Sequence, residues 1–124
     1  MLTLPSSVRI YVASRPVDLR KGMYKLASVA RRVVKQDPMN GHIFVFINRE
    51  RNRLKALWWD RSGWLLLYKK LERGTFRLPT EPLLGQSHVE LDAGELAMML
   101  EGVEFRGTRR RRRWRRLPHE SVEA

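Results

Sequence analysis

The sequence contains no cysteine, which excludes disulfide scaffolds, thiolate-bound zinc or iron–sulfur centres and thiol catalysis, and suits a reducing compartment. No uninterrupted apolar run exceeds five residues, as at Ile43–Ile47, far short of the ~20 that span a bilayer. Histidine is scarce: His42, His88 and His119 lack the H-x-x-x-H spacing of a zinc hydrolase. The glycines form no G-x-x-x-x-G-K-[ST] phosphate loop. The opening MLTLPSSVRIYV has no basic stretch before its apolar residues and does not read as a secretory leader. These absences lead to an expectation of a cytoplasmic protein with no cofactor, no bound metal and no membrane partner.

Acidic residues are also few. The 124 residues carry 13 Asp plus Glu against 25 Lys plus Arg, a formal net charge of +12. Such an imbalance attracts polyanions and makes nucleic acid the first partner to consider. The excess is uneven. Residues 106–124 hold eight arginines against two glutamates, so half of the net charge lies in that short segment. Arg109–Arg116, RRRRRWRR, has arginine at seven of eight positions, and blocks of like charge repel themselves into disorder when unbound. We therefore expect one compact domain over residues 1–105 and a basic, disordered tail over 106–124.

Within the body, Arg9–Ala13 alternates with Ile10 and Val12 on one side, as a first strand does. From Leu19 the apolar residues Met23, Leu26, Ala27, Ala30, Val33 and Val34 recur at helical spacing. Asp18 stands where a cap acceptor is wanted, and Asp37-Pro38 ends the pattern. Ile43–Ile47, Arg53–Trp59 and Trp64–Leu71 then read as strands joined by the short polar turns Asn48–Asn52 and Asp60–Gly63, an antiparallel meander. Phe76–Leu78 is a candidate edge strand before Pro79, and residues 79–88 a connector. Asp92 caps a short helix carrying Leu96, Met99 and Leu100, stopped by Gly102. The expected fold is α+β: a mostly antiparallel sheet of four to five strands, one long and one short helix, and a basic C-terminal tail.

Three groups of residues could carry chemistry. In the tail, Arg109, Arg110, Arg111, Arg112, Arg113, Arg115 and Arg116 offer guanidinium forks to phosphates, and the Trp114 ring could stack on a base; a solubilising tail is the plainer alternative. In the sheet, alternation groups Arg53, Lys55, Leu57 and Trp59, then Trp64, Leu66, Tyr68 and Lys70, then Phe44, Phe46 and Asn48. On a common face these would present aromatics rimmed by cations, a surface suited to unstacked bases. Aromatics are more often core, and a five-residue apolar strand implies cover on both faces. Finally, Asp18, Asp60 and Glu72, with Lys70 nearby, are the carboxylates that metal-dependent phosphoryl chemistry would need to converge. Each also has a simpler role as cap, turn opener or ion-pair partner. His42 reads as a hydrogen-bonded turn residue, and Ser6, Ser7 and Ser62 lack a nucleophile elbow.

The order of several segments adds a family context. Pro16-Val17-Asp18-Leu19-Arg20-Lys21-Gly22, Asp37-Pro38, Gly41-His42-Ile43-Phe44-Val45-Phe46 and Asn48-Arg49 come first. Arg53-Leu54-Lys55 with Leu57, Trp59 and Asp60 follows, then Tyr68-Lys69-Lys70-Leu71-Glu72 with Gly74 and Phe76, and finally Glu95–Gly102. Together they resemble the small accessory protein, TnpB or the second open reading frame product, of insertion sequence sixty-six-type transposable elements. The resemblance covers about residues 8–105. It differs at Leu19, where methionine is common, and at Trp58, where tyrosine is common. The RNA-guided nuclease that shares the name TnpB is unrelated. The resemblance implies a mobile bacterial element with a separate transposase that performs strand transfer, and an accessory chain with no catalytic residues to carry over.

Charge and resemblance together give the expectation of a non-catalytic accessory factor for DNA transposition, not an enzyme. It would bind DNA with little sequence preference and assist the transposase of the same element. The expected contacts are the tail residues with Arg49, Arg51, Arg53, Lys55, Trp59, Lys69 and Lys70. An adaptor that docks on the transposase without touching DNA is the alternative, and a metal-dependent nuclease a more distant one.

Overall fold

The computed structural model describes residues 7–79 and 81–101. The arginine-rich segment expected over 106–124, Gly102 included in the expected helix stop, and the N-terminal Ser6 lie outside those residues.

Apolar alternation and short turns build a five-stranded sheet in the order β4-β3-β2-β1-β5. Its strands are β1 (Ile10–Ala13), β2 (Ile43–Ile47), β3 (Arg53–Trp59), β4 (Trp64–Lys70) and β5 (His88–Leu91). β2, β3 and β4 form the expected antiparallel meander. β1 and β2 run parallel, Ile10 beside Ile43, so the chain between them must cross over. That crossover holds helix α1 (Met23–Val29), whose last turn widens into a π-turn over Ala30–Val34 and ends at Lys35 in the left-handed region, φ 63°.

Each face of the sheet is covered by one helix. On one face Tyr11, Ala13, Phe44, Phe46 and Leu57 pack with Leu26, Ala27, Val29, Ala30 and Val34 of α1 and its π-turn. On the other, Ile10, Val12, Ile43, Val45, Leu54, Val89 and Leu91 pack with Leu96 and Met99 of α2 (Ala93–Glu101). Double cover explains the unbroken apolar sequence of β2, where alternation would have left one face wet. α2 starts with a reciprocal cap: the Glu95 N–H donates to Asp92 Oδ1 at 2.7 Å and the Asp92 N–H to Glu95 Oε1 at 3.0 Å.

Three sequence expectations change. The helix begins at Met23 rather than Leu19, and Asp18 does not cap it: Gly22 holds the cap position with no side-chain hydrogen bond. Asp18 instead accepts from the backbone N–H and the guanidinium of Arg20, which locks Pro16–Lys21 as a loop. Phe76–Leu78 is no strand. Phe76 plugs the α2 face, fully buried, its N–H donating to the Arg51 carbonyl at 2.7 Å. The fifth strand lies later, where His88–Leu91 leaves the connector to pair antiparallel with β1.

Candidate nucleic-acid interface

Sheet register decides which side chains meet. Phe46 pairs with Lys55 and Lys55 with Tyr68, so the three form one row across β2, β3 and β4. The neighbouring row is Phe44, Leu57 and Leu66; Trp59 pairs with Trp64, and Arg53 with Lys70. The residues grouped by alternation therefore do share a face. They are not equally available. Helix α1 covers Phe44, Phe46 and Leu57 completely and reaches the half-buried Trp64 and Leu66, while Tyr68, out on the edge strand, remains 53% exposed.

Beside that edge lies an open groove of about 830 Å³. One wall is the Pro16–Arg20 loop, the other the β2–β3 turn with Arg49 and Glu50, and the floor is Arg53, Lys55, Leu66 and Tyr68. The Lys55 ammonium donates to the Lys21 carbonyl at 3.0 Å and sits 5.5 Å from the Tyr68 ring centroid, tying the loop to the sheet. Asn48 builds the turn. Its Oδ1 accepts from the N–H groups of Asn52 and Arg53, and its Nδ2 donates to Asn52 Oδ1 and Glu50 Oε1. Arg51 takes the left-handed conformation this tight turn needs, φ 63°.

The charges in the groove favour an anion. Arg20 holds the Asp18 carboxyl far below the usual carboxylate range, chiefly by its side-chain and backbone hydrogen bonds, so this acid is already matched by a cation at 2.8 Å. Glu50 is held by Asn48. Arg49 and Arg53, in contrast, form no ion pair among the described residues.

The structure divides the residues singled out by sequence. Arg49, Arg53 and Lys55 line the groove, and Lys70 lies beside Arg53 on the same face. Arg51 is exposed in the same turn. Lys69 points to the opposite face, where its Nζ donates to the Leu100 carbonyl near the end of α2. Trp59, half-buried, packs on Trp64 with ring centroids 5.1 Å apart, four residues along β3 from Lys55. Arg109, Arg110, Arg111, Arg112, Arg113, Trp114, Arg115 and Arg116 lie outside the described residues. Sequence reasoning missed Arg20, which lines the groove. The signal was the D-x-R spacing of Asp18 and Arg20, legible once that stretch is read as loop instead of helix.

The three carboxylates considered for metal chemistry do not converge. Asp60 opens the β3–β4 turn, accepting from the N–H groups of Ser62 and Gly63, bonds that lower its pKa. Glu72 follows the other end of β4, so the length of the hairpin, roughly 20 Å, separates the two. Asp18 is held by Arg20 on the groove wall. His42 is structural, its Nδ1 accepting from the Arg9 N–H at 3.0 Å.

The model of the IS66 Orf2-like proteins matches residues 8–110. The chain belongs to that family. The match spans the groove walls, its floor and both helices of this IS66 Orf2-like protein. Two uncharacterised proteins of Sinorhizobium fredii are similar over most of their length. One, y4hO, is 32% identical over 106 residues, 86% of this chain and 90% of the relative. The other, y4jC, is 33% identical over 104 residues, 84% and 86% respectively. No solved structure matches significantly. IS66 membership fits an accessory role in transposition. No helix among the described residues is long and apolar enough to cross a membrane.

Proposed function

We propose that this chain is a non-catalytic accessory factor that binds DNA through its basic residues and assists a separate transposase of the same element in the cytoplasm. One observation carries the reading: Arg49, Arg53 and Lys55 converge on one groove beside an exposed tyrosine, where they outnumber the one acid, Glu50, left without a cation among the described residues. Arginine forks suit phosphate oxygens, and each phosphate neutralised releases condensed counterions. The tail arginines offer further guanidinium groups to phosphates, and contacts of this kind bind DNA with little sequence preference. The chain supplies positioning and charge, and the transposase supplies strand transfer and recombination.

The test compares two sets of neutralised cations in the full chain. Arg49→Gln, Arg53→Gln and Lys55→Gln together should weaken DNA binding about 30-fold or more at low salt. Arg31→Gln, Arg32→Gln and Lys35→Gln, on the exposed side of α1 and its π-turn, should cost much less. Equal losses from the two sets would remove the groove from the reading.

A second reading, docking on the transposase, is supported by apolar side chains left in solvent. Leu83 and Leu84 project from a turn at Gly85, φ 85°, and Leu65 and Leu67 are exposed on β4. Co-purification with the transposase at high salt tests it, because apolar contacts persist where charge contacts are screened. Leu83→Ser with Leu84→Ser should abolish salt-resistant capture if that turn is the contact; undiminished capture would exclude the turn.

A further inference from the structure

We propose that the groove between the Pro16–Arg20 loop and the β2–β3 turn takes an unpaired nucleotide of DNA, its base stacked on Tyr68 and its phosphates held by Arg49, Arg53 and Lys55. This rests on the DNA-binding reading above and goes beyond it by naming the strand form. Size is the first argument. About 830 Å³ is the scale of a site for a small organic ligand, enough for one or two nucleotides and too small in volume to hold a duplex. A duplex could lie across the rim, but its bases are already stacked on one another, whereas an unpaired base has a free face to lay on Tyr68.

The floor is the second argument. Exposure rises along a single row, from Phe46, fully covered by α1, through the half-buried Lys55, to Tyr68 on the edge strand. The same sheet face is therefore core at its centre and an open aromatic surface at its margin. Leu66 continues that surface as an apolar neighbour. Bases stack on such rings with little regard to sequence, because every base has a π-face.

Preorganisation is the third. Lys55 is fixed by the Lys21 carbonyl and holds station over one face of the Tyr68 ring, leaving the base to stack on the other, and the Asn48 hydrogen bonds fix the turn that carries Arg49. A stacked base would thus meet one cation already fixed, Lys55, and two exposed guanidiniums, Arg49 and Arg53, free to reach its phosphates. An acidic peptide would satisfy the cations but leave the tyrosine unused.

The test uses the full chain with an oligothymidine, a duplex of the same length and polyglutamate as competitor. The oligothymidine should bind more tightly than the duplex and resist polyglutamate better than the duplex does. Tyr68→Leu, which keeps an apolar residue on the strand, should weaken oligothymidine binding about tenfold, with a smaller loss on duplex. Tyr68→Phe, which keeps the ring, should restore most of it. Independently of any variant, an oligonucleotide carrying 2-aminopurine should change its emission on binding the unaltered chain, as a newly stacked base does. Unchanged emission, or a Tyr68→Leu chain that binds oligothymidine like the unaltered one, overturns the stacked nucleotide while salt-dependent DNA binding stands. Polyglutamate that displaces oligothymidine and duplex equally well overturns it in favour of charge alone. Binding of neither nucleic acid overturns both proposals together.

Discussion

Lys55 faces Tyr68 across β3 and β4, its Nζ 5.5 Å from the ring centroid and donating at 3.0 Å to the Lys21 carbonyl. One ammonium thus joins three parts of the chain: the loop entering α1, a central strand and the exposed edge. Lys55→Met keeps the aliphatic stem but removes the cation. It should cost about 1 kcal/mol of stability, the sum expected of a modest hydrogen bond and an exposed cation–π contact. It should also weaken DNA binding. Chemical denaturation and a binding titration on the same variant check the two effects.

The Asp18–Arg20 pair sets a pH response. Arg20 lowers the Asp18 pKa in the folded state, so the pair favours folding above the ordinary aspartate pKa, ~3.9, and that contribution fades as the pH falls through the lower, folded value. In Arg20→Gln the backbone hydrogen bond remains, so the carboxyl should titrate higher than in the unaltered chain yet still below the ordinary range, measurable by NMR of its side-chain carbon. The opposite substitution, Asp18→Asn, removes a negative charge from the groove wall and frees Arg20. DNA affinity should then rise by about two- to fivefold at low salt, and the gain should vanish as salt is added.

Asn48 makes four hydrogen bonds inside the β2–β3 turn. Asn48→Ala leaves the N–H groups of Asn52 and Arg53 without their side-chain acceptor. A loss of about 1–3 kcal/mol in denaturant unfolding is expected. Since the turn carries Arg49 and precedes Arg53, DNA affinity should fall although no cation has been removed. Asn48→Asp keeps the acceptor but sets a second carboxylate against Glu50, so it should recover only part of the stability.

Phe76→Ala provides a contrast. The ring is fully buried on the α2 face, away from the groove, and its removal should cost about 3–5 kcal/mol. At a temperature where the variant remains folded, its DNA affinity should match that of the unaltered chain. A specific loss of affinity in the folded variant would mean that the α2 face takes part in binding.

Much of this architecture was legible in the residues, for reasons that also explain what was not. The meander from Ile43 to Lys70 combines strong alternation or dense apolar runs with short polar turns, and its strands fall where the pattern puts them, the last ending at Lys70 rather than Leu71. The parallel pairing of β1 with β2 and the strand His88–Leu91 escaped because their partners are distant in sequence. Leu19 follows the helical period and is buried with the α1 face, yet lies outside the helix, since Asp18 bonds to Arg20 and holds the loop open. For the site, alternation placed the right residues on one face but could not say that α1 would cover Phe44 and Phe46 and stop short of Tyr68. Lys69 and Lys70 were both expected at the DNA, although neighbours on a strand must point opposite ways. Lys69 accordingly reaches the Leu100 carbonyl on the other face.

The salt dependence of DNA binding by the full chain tests the central claim most directly. If cations in the groove and in Arg109–Arg116 meet phosphates, log affinity should fall against log salt with a slope of about −4 to −5 or steeper. The slope should become shallower when Arg109, Arg110, Arg111, Arg112, Arg113, Arg115 and Arg116 are replaced by glutamine, and shallower again when Arg49, Arg53 and Lys55 follow. A chain that leaves DNA unbound in dilute buffer, or a slope that neither set of substitutions changes, would contradict the account.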